Sequence, residues 1–513
     1  MPPFDEILLP ASDVDVVEHK DVHHADSPDS YLYERIASHF EDAIARQALA
    51  VGARMPSVRQ IRHQHQVSHS TALQVLRVME SRGLIEARSR VGYFVRETAL
   101  QMPAAREPQH LKPHPMPDHC FEGIGARTAM YLNKARLAGA LKVDLGSAMP
   151  APELFDAKLL NSHATALLRE YPDVLVHGPS APFTHPDFQA AMARYALQFG
   201  VRLAPMDIGA TMGNSEAVNL ALDALTQPGD VVAIESPTFF GIVQAVEAKG
   251  LLALEIPSSP HTGMSLEALE LALRTQPRIK AVVVVPHLQM PQGATMPDTH
   301  KQRLVALCAA YRVALIEDDI YREFVEGDAV LKPCKAWDTD GTVIYCASLS
   351  KSFAPGLRLG WMNAGRWHER VQIIKFARSR NMPTWPQLLG ARTVGTPAYF
   401  RHLARLRQHL RTQRQAAAQA VARYFPIGTR LSLPAGGLSI WLELPEQVSS
   451  SRLYDEALAL GIRTAPGDMF SNTGHYDHFL RLSCGMPFTE AVEEAYRTLG
   501  RLLHAQLGLP SRA

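Results

Sequence analysis

Lys351 stands in the run Ala347-Ser348-Leu349-Ser350-Lys351-Ser352-Phe353-Ala354-Pro355-Gly356-Leu357-Arg358, directly after the apolar stretch Thr342 to Cys346. A primary amine at the end of an apolar strand can attack a carbonyl, and two hydroxyls with a guanidinium can hold a phosphate. That combination is what an aldehyde cofactor carrying a phosphate needs. The plain alternative is a surface lysine. A second phosphate-binding feature is Met212-Gly213-Asn214-Ser215, which opens an apolar helical pattern and so offers Asn214 and Ser215 at a helix N-terminus. A plain helix cap would look the same.

These groups need strands to carry them. From Asp144 onward, helical patterns alternate with short apolar runs at Val231 to Ile234, Ala281 to Val285, Val313 to Ile316 and Val343 to Cys346. Such alternation predicts an α/β domain with a mainly parallel sheet covered by helices, over 141–513. Amphipathic stretches at Ala398 to Tyr424 and Glu490 to Leu507, around strand-like Leu438 to Leu444 and Phe479 to Ser483, predict a small C-terminal α/β subdomain within it.

Upstream, residues 1–28 lack periodicity and read as a flexible tail. Residues 29–97 read as a separate module, with apolar Ile36, Phe40, Ala43 and Ile44 at helical spacing and a break at Val51 to Pro56. Ser57 then caps a helix through Gln64, and Ser68 caps another whose Leu73, Leu76 and Met79 face inward. Two short strands, Gly83 to Ala87 and Tyr93 to Val95, close the module. Residues 98–140 form a linker, Pro-rich from Met102 to Pro117 and helical in character from about 119.

With 513 residues the chain exceeds one ordinary core. Hydrophobic content of 46% and charged content of 20% describe a soluble globular protein, and no apolar run has the length to span a bilayer. The acidic, His-containing start is not a signal peptide, so a cytoplasmic location is expected. Five scattered cysteines suggest neither disulfides nor a metal site. The net charge of +1 hides an uneven distribution: eight arginines against two acids lie between Val51 and Arg96. That charge suits a nucleic-acid partner.

The ordered series Met55-Pro56-Ser57-Val58-Arg59, Val67-Ser68-His69-Ser70-Thr71, Gly83-Leu84-Ile85 and Gly92-Tyr93-Phe94-Val95 resembles the GntR-type winged helix-turn-helix. The resemblance implies a recognition helix from His69 to Glu80 in a major groove of double-stranded DNA. Ser57, Ser68, Ser70 and Thr71 are short polar groups at helix starts, suited to phosphates. Arg59, Arg77 and Arg90, with Gly92 in the wing, would meet the backbone. His69 stands where the family has arginine, which removes one guanine contact and leaves Ser70, Thr71 and Gln74 to read sequence.

Residues 141 to 507 resemble the fold-type I pyridoxal 5′-phosphate enzymes of the aspartate aminotransferase fold. The resemblance makes Lys351 the Schiff-base lysine, Asp318 the carboxylate at the pyridinium nitrogen and Tyr321 the partner of the ring hydroxyl. It gives the phosphate to Asn214, Ser215, Ser348, Ser350 and Arg358, the ring face to Phe239, and a ligand's α-carboxylate to Arg481. The acidic run Glu317-Asp318-Asp319 could instead hold magnesium in a nucleotide enzyme, but the chain has no G-x-x-x-x-G-K-[ST] loop. Three positions depart from the family. Met290 replaces an asparagine that touches the ring hydroxyl, His177 replaces a tyrosine that reaches a partner subunit's phosphate, and Phe183 or Thr184 with Phe188-Gln189 replace a glycine and a Leu-Arg pair.

The two resemblances in this order identify the chain as a member of the MocR family of GntR regulators, and Met296-Pro297-Asp298 through Tyr321 looks like its YdcR-like branch. The family implies a head-to-tail homodimer that binds two DNA half-sites and senses an amine, an amino acid or the B6 vitamer, with His177, Met290 and Arg481 around the effector. Residual or no transaminase activity is expected. Two alternatives stay open: an active aminotransferase with an appended DNA-binding domain, and a repressor whose large domain only dimerises.

Overall fold

The computed structural model describes residues 32–45, 49–88, 91–96, 124–178, 184–327 and 330–510. The tail at 1–28, the Pro-rich part of the linker, Phe183 and Arg90 lie outside the described residues. The chain divides into two compact units, Met1–Thr98 and Ala99–Ala513.

The first unit contains α1 (Leu32–Ala45), α2 (Val58–His65), α3 (His69–Ser81), β1 (Ile85–Arg88) and β2 (Gly92–Val95). Ser57 makes a full capping box with Gln60 at the start of α2, and Ser68 Oγ accepts from Thr71 N at the start of α3. Left-handed Gln66 at φ 50° ends α2 and turns the chain into α3. The buried stripe of α3 is Ala72, Val75, Leu76 and Met79, and Leu73 is only partly covered. They pack on Ile36, Phe40 and Ile44 of α1 in one small core. β1 and β2 pair antiparallel from Ile85↔Val95 to Arg88↔Gly92, forming the wing.

The second unit begins with α4 (Ile124–Leu137) and β3 (Val143–Asp144), followed by α5 (Ala157–Glu170), α6 (Pro186–Leu197), β4 (Ile208–Thr211), α7 (Asn214–Leu225), β5 (Val231–Ser236) and α8 (Phe240–Glu247). Next come β6 (Leu252–Ser259), β7 (Gly263–Met264), α9 (Leu266–Thr275), β8 (Ile279–Val284), α10 (Asp298–Ala310), β9 (Ala314–Asp318), β10 (Val343–Ser348) and β11 (Gly360–Asn363). The remainder is α11 (His368–Arg378), α12 (Thr384–Thr393), α13 (Pro397–Tyr424), β12 (Arg430–Ser432), β13 (Ser439–Glu443), α14 (Ser450–Ala459), β14 (Ile462–Arg463), β15 (Ala465–Pro466), β16 (Phe479–Ser483) and α15 (Glu490–Gln506).

The central sheet has eight strands in the order β4-β11-β10-β9-β8-β5-β6-β7. β10, β9, β8, β5 and β6 run parallel, while β11 and β7 are antiparallel to their neighbours. β5 and β10 are buried along their whole length, which explains their unbroken apolar character. Side-chain alternation on β9 sends Ile316 to the layer of α7 and α8, and Leu315 to the layer of α9 and α10.

The C-terminal subdomain is built on a four-stranded antiparallel sheet, β12-β13-β16-β15, packed with α13 and α15. One strand of its two-stranded neighbour is β3, from the start of the unit, pairing Val143 with Ile462. Sequence periodicity missed β3 because two residues carry no period. Among the described residues no helix is long and apolar enough to cross a membrane.

Candidate functional site

The parallel strands end together, and their carboxyl ends form the floor of a pocket, the place where open α/β sheets hold ligands. Asp318 is the last residue of β9, Lys351 follows β10, Met290 follows β8 and Phe239 follows β5. With Asn214 and Ser215 of α7 and with Tyr321, they line one cavity.

Lys351 Nζ donates to Tyr321 OH and sits 4.1 Å from the centre of the Tyr321 ring. Both residues are buried. Burial pushes the Lys351 ammonium down to about 7, although the Asp318 charge opposes the fall. Burial likewise raises the Asp318 carboxyl to about 7 against the pull of Lys351. Burial also raises the Tyr321 phenol, with Asp318 adding to it. An amine near neutrality in a dry pocket is a competent nucleophile. Asp318 can hold or give up a proton near neutral pH.

Gly213 precedes α7 at φ 77°, and a Cβ placed there would lie 3.3 Å from Arg358 Nη2 and 3.7 Å from Ser350 Oγ. A glycine therefore lets the helix N-terminus, a guanidinium and a hydroxyl share one corner, as an anion requires. Arg358 is itself left-handed at φ 50° and exposed, with Nη2 3.4 Å from Met212 O. Ser215 is exposed at the same helix start. Asn214 is buried and turned to Asp318, whose carboxyl its side chain helps to keep ionised. Ser348 spends its hydroxyl locally, accepting from Ser350 N at 3.1 Å. Ser350 Oγ is buried without a partner and lies near the corner. Glu216 steadies this helix start by accepting from Met212 N at 2.6 Å and pairing with buried Lys375 at 3.2 Å.

Arg481, on β16, is buried, and burial lowers its guanidinium to about 10. It donates to Gly146 O, and its Nη1 lies 3.9 Å from Met290 Sδ. Met290 Sδ also receives Ser439 Oγ at 3.7 Å. Asn214 Oδ1, Asp318 Oδ1, Ser350 Oγ and Arg481 Nε are all buried without a hydrogen-bond partner. Native proteins rarely leave such groups bare. Two of them, Asn214 and Asp318, line the cavity itself, where a polar ligand would complete them. His177 is exposed and does not line the cavity.

In the first unit a cleft runs between α2, α3 and the wing, lined by Arg54, Ser57, Arg59, Arg62, His69, Gly92 and Tyr93 among others. Gly92 at φ 126° lets the Arg54 side chain lie against the wing, since a Cβ there would be 3.3 Å from Arg54 Nε. Ser70 and Arg77 are exposed, and Thr71 and Gln74 half-buried, on α3. Ser68 Oγ is already engaged by Ser70, Thr71 Oγ1 and Thr71 N. Arg54, Arg62 and Tyr93 were not singled out from the sequence. Charge density alone pointed to the two arginines, and only the folded wing brings Tyr93 to them.

The aminotransferase class I and II family matches residues 167–499, and the gntR family of bacterial regulatory proteins matches residues 32–95. The HTH-type transcriptional regulator YdcR of Escherichia coli (strain K12) is 34% identical over 475 residues, covering 93% of this chain and 99% of that protein. The HTH-type transcriptional regulator YjiR of the same organism is 32% identical over 486 residues, covering 92% and 98%. Among solved structures, LysN, an α-aminoadipate aminotransferase from Thermus thermophilus complexed with N-(5′-phosphopyridoxyl)-L-leucine, superposes with a TM-score of 0.67 at 29% identity, covering 75% of this chain and 98% of that one.

Proposed function

The chain belongs to the GntR-type transcriptional regulators that carry an aminotransferase class I and II domain, and we propose that its large unit senses a primary amine or amino acid through pyridoxal 5′-phosphate at Lys351. The observation that carries the reading is the set of bare buried polar atoms around the Lys351–Tyr321 pair. They fit the group's functional atoms.

When bound, pyridoxal phosphate supplies an aldehyde and an electron-withdrawing ring. Lys351 would present its amine to the aldehyde, Asp318 would hold a proton at the ring nitrogen, Tyr321 would meet the ring hydroxyl and Phe239 would cover the ring. Arg358, Ser350 and the backbone at the start of α7 would take the phosphate. A sensed amine would be read at the same place as the Lys351 amine, with Arg481 to hold its carboxylate. Ser348 would support the phosphate grip from the turn that it braces by accepting from Ser350 N.

Binding a ligand at this pocket shifts DNA affinity by a coupling of about 1 to 3 kcal/mol. In the first unit α3 reads the major groove through Ser70, Thr71 and Gln74, while Arg54, Arg59, Arg62 and Arg77 meet phosphates. A head-to-tail homodimer presents two such units to two half-sites. Exposed His177, outside its own pocket, suits a residue that reaches the phosphate corner of a second copy. Residues 98–140 serve as the linker, with α4 already resting on the large unit through the bond from Gly125 N to Glu247 Oε2 at 2.8 Å. The protein works in the cytoplasm.

Met290 argues for sensing over turnover, because a thioether engaged by Arg481 and Ser439 offers the ring hydroxyl no strong hydrogen bond. Binding of the purified protein to its own upstream DNA, with and without pyridoxal phosphate and a panel of amino acids, tests the reading. A ligand-dependent change in affinity without turnover is expected, and steady transamination with no effect on DNA refutes it.

A further inference from the structure

Behind the pocket floor lies a second polar cluster that the proposed chemistry does not use. Lys301, in the first turn of α10, is fully buried, and so are His287, after β8, and Asp319, after β9. Lys301 Nζ lies 3.1 Å from His287 Nε2, 2.5 Å from Lys332 O and 2.9 Å from Asp298 Oδ1. An ammonium has three N–H donors and no lone pair, so these three acceptors use all of them. His287 Nε2 must therefore accept, and its ring proton must sit on Nδ1. From there it donates to Asp319 Oδ1 at 2.6 Å.

Asp319 is saturated on every side. Its Oδ2 accepts from Arg322 Nε and Tyr345 OH, each at 2.8 Å, and its backbone N donates to Cys346 O on β10 at 2.9 Å. Arg322 is held in turn with its guanidinium 3.6 Å from the centre of the Phe199 ring. The residues on either side of this lock are Asp318 and Tyr321, both facing the pocket. Glu317, a carboxyl that burial raises above the usual range and that accepts from Cys334 N and Lys335 N, and half-exposed Asp298 are the other titratable groups at the cluster.

We propose that Lys301 and His287 are positioning residues: Lys301 fixes the His287 tautomer, His287 holds Asp319 as a fully bonded carboxylate, and Asp319 clamps the end of β9 so that Asp318 and Tyr321 meet the cofactor in one geometry. This rests on the reading of the pocket as a pyridoxal phosphate site. The lock also separates the two neighbouring carboxylates. Asp319 keeps its charge away from the pocket, which leaves Asp318 as the carboxylate available to the ring nitrogen.

The test has two arms. In wild-type protein labelled with ¹⁵N-histidine, with His287→Asn assigning the resonance, His287 is expected to be neutral with its proton on Nδ1; a proton on Nε2 overturns the proposal. In the second arm, pyridoxal phosphate is titrated into wild type, Lys301→Met and Lys301→Arg, and the absorbance of the bound cofactor is followed against pH. Lys301→Met is expected to weaken binding about tenfold, the loss of one bond to a buried charged network, and to shift the pH midpoint of the absorbance; Lys301→Arg, which keeps the charge, restores most of both. A folded Lys301→Met that matches wild type in affinity and midpoint sinks the role alone. Wild-type protein that takes up no pyridoxal phosphate sinks the reading of the pocket, and this role with it. Should Lys301→Met fail to fold, the tautomer of the wild type still decides.

Discussion

Asp318 and Asp319 are neighbours in the chain, both buried, and the fold drives their carboxyls in opposite directions. Burial raises Asp318 to about 7. Although burial opposes it, Asp319 is held well below the usual carboxylate range by the Arg322 charge and by the hydrogen bonds it accepts from His287, Arg322 and Tyr345. Strand alternation is the cause: one side chain leaves β9 toward the α7 layer and the pocket, the other toward the α10 layer and its cations. Two identical residues thus sit in two opposite electrostatic environments.

The phosphate corner makes a discriminating prediction. Gly213→Ala places a Cβ 3.3 Å from Arg358 Nη2 on a residue at φ 77°, a backbone strain costing about 1 kcal/mol or more. Pyridoxal phosphate affinity should fall roughly tenfold while pyridoxal, which lacks the phosphate, binds as before. Equilibrium titrations with both compounds decide.

At the Lys351–Tyr321 pair, Lys351→Ala should abolish the visible absorbance that pyridoxal phosphate acquires in the wild type. The folded state should survive, since the removed amine is costly to bury. Thermal unfolding and an absorbance spectrum of the same sample check both halves.

Met290→Asn supplies a hydrogen-bond donor beside Tyr321 and removes the sulfur that touches Arg481 and Ser439. We expect tighter pyridoxal phosphate binding and a rise in transamination from whatever level the wild type shows. Assays with an amino acid and a keto acid measure it; unchanged binding and turnover would remove Met290 from the account.

Glu235 offers a pH-dependent test, because burial raises its carboxyl to about 8 and its Oε1 has no partner. The folded protein therefore keeps this proton to a higher pH than the unfolded chain does. Sign follows from linkage: stability is lost as pH rises from the unfolded value near 4.5 through about 8, and the loss is complete above it. Glu235→Gln keeps an acceptor for Val285 N, removes the titration, and should gain roughly 2 to 4 kcal/mol over wild type at pH 9, with little difference at pH 4. Denaturant unfolding at the two pH values checks it.

For DNA, Arg54→Ala or Arg59→Ala should weaken binding about equally for all sequences and lower the salt slope by about one. Gln74→Ala should instead blur sequence preference. Binding isotherms across salt concentration separate the two behaviours.

Much of the pocket was legible in the chain because its residues sit at fixed places relative to strand ends. Asp318 closes an apolar run, Lys351 follows one, and Gly213-Asn214-Ser215 opens a helix. What the sequence could not show depends on groups brought together over long separations. Nothing local distinguishes Asp319 from Asp318, sends Asn214 toward a carboxyl, or sets Ser348 to bracing a turn. Likewise β3 exists only because Ile462 pairs with it, and the Arg54–Gly92 contact only because the wing folds back. Helical period places Leu73 inside, yet the tight packing of α3 buries Ala72 and Val75 instead.

The central claim is that occupancy at Lys351 sets DNA affinity, and it is tested most directly by measuring the protein's affinity for its own upstream DNA across an amine and amino-acid panel in the presence of pyridoxal phosphate. At least one ligand should change that affinity by about 5- to 150-fold in the wild type and leave Lys351→Ala unmoved. No binding to that DNA, or an affinity that every ligand leaves unchanged in the wild type, contradicts the account.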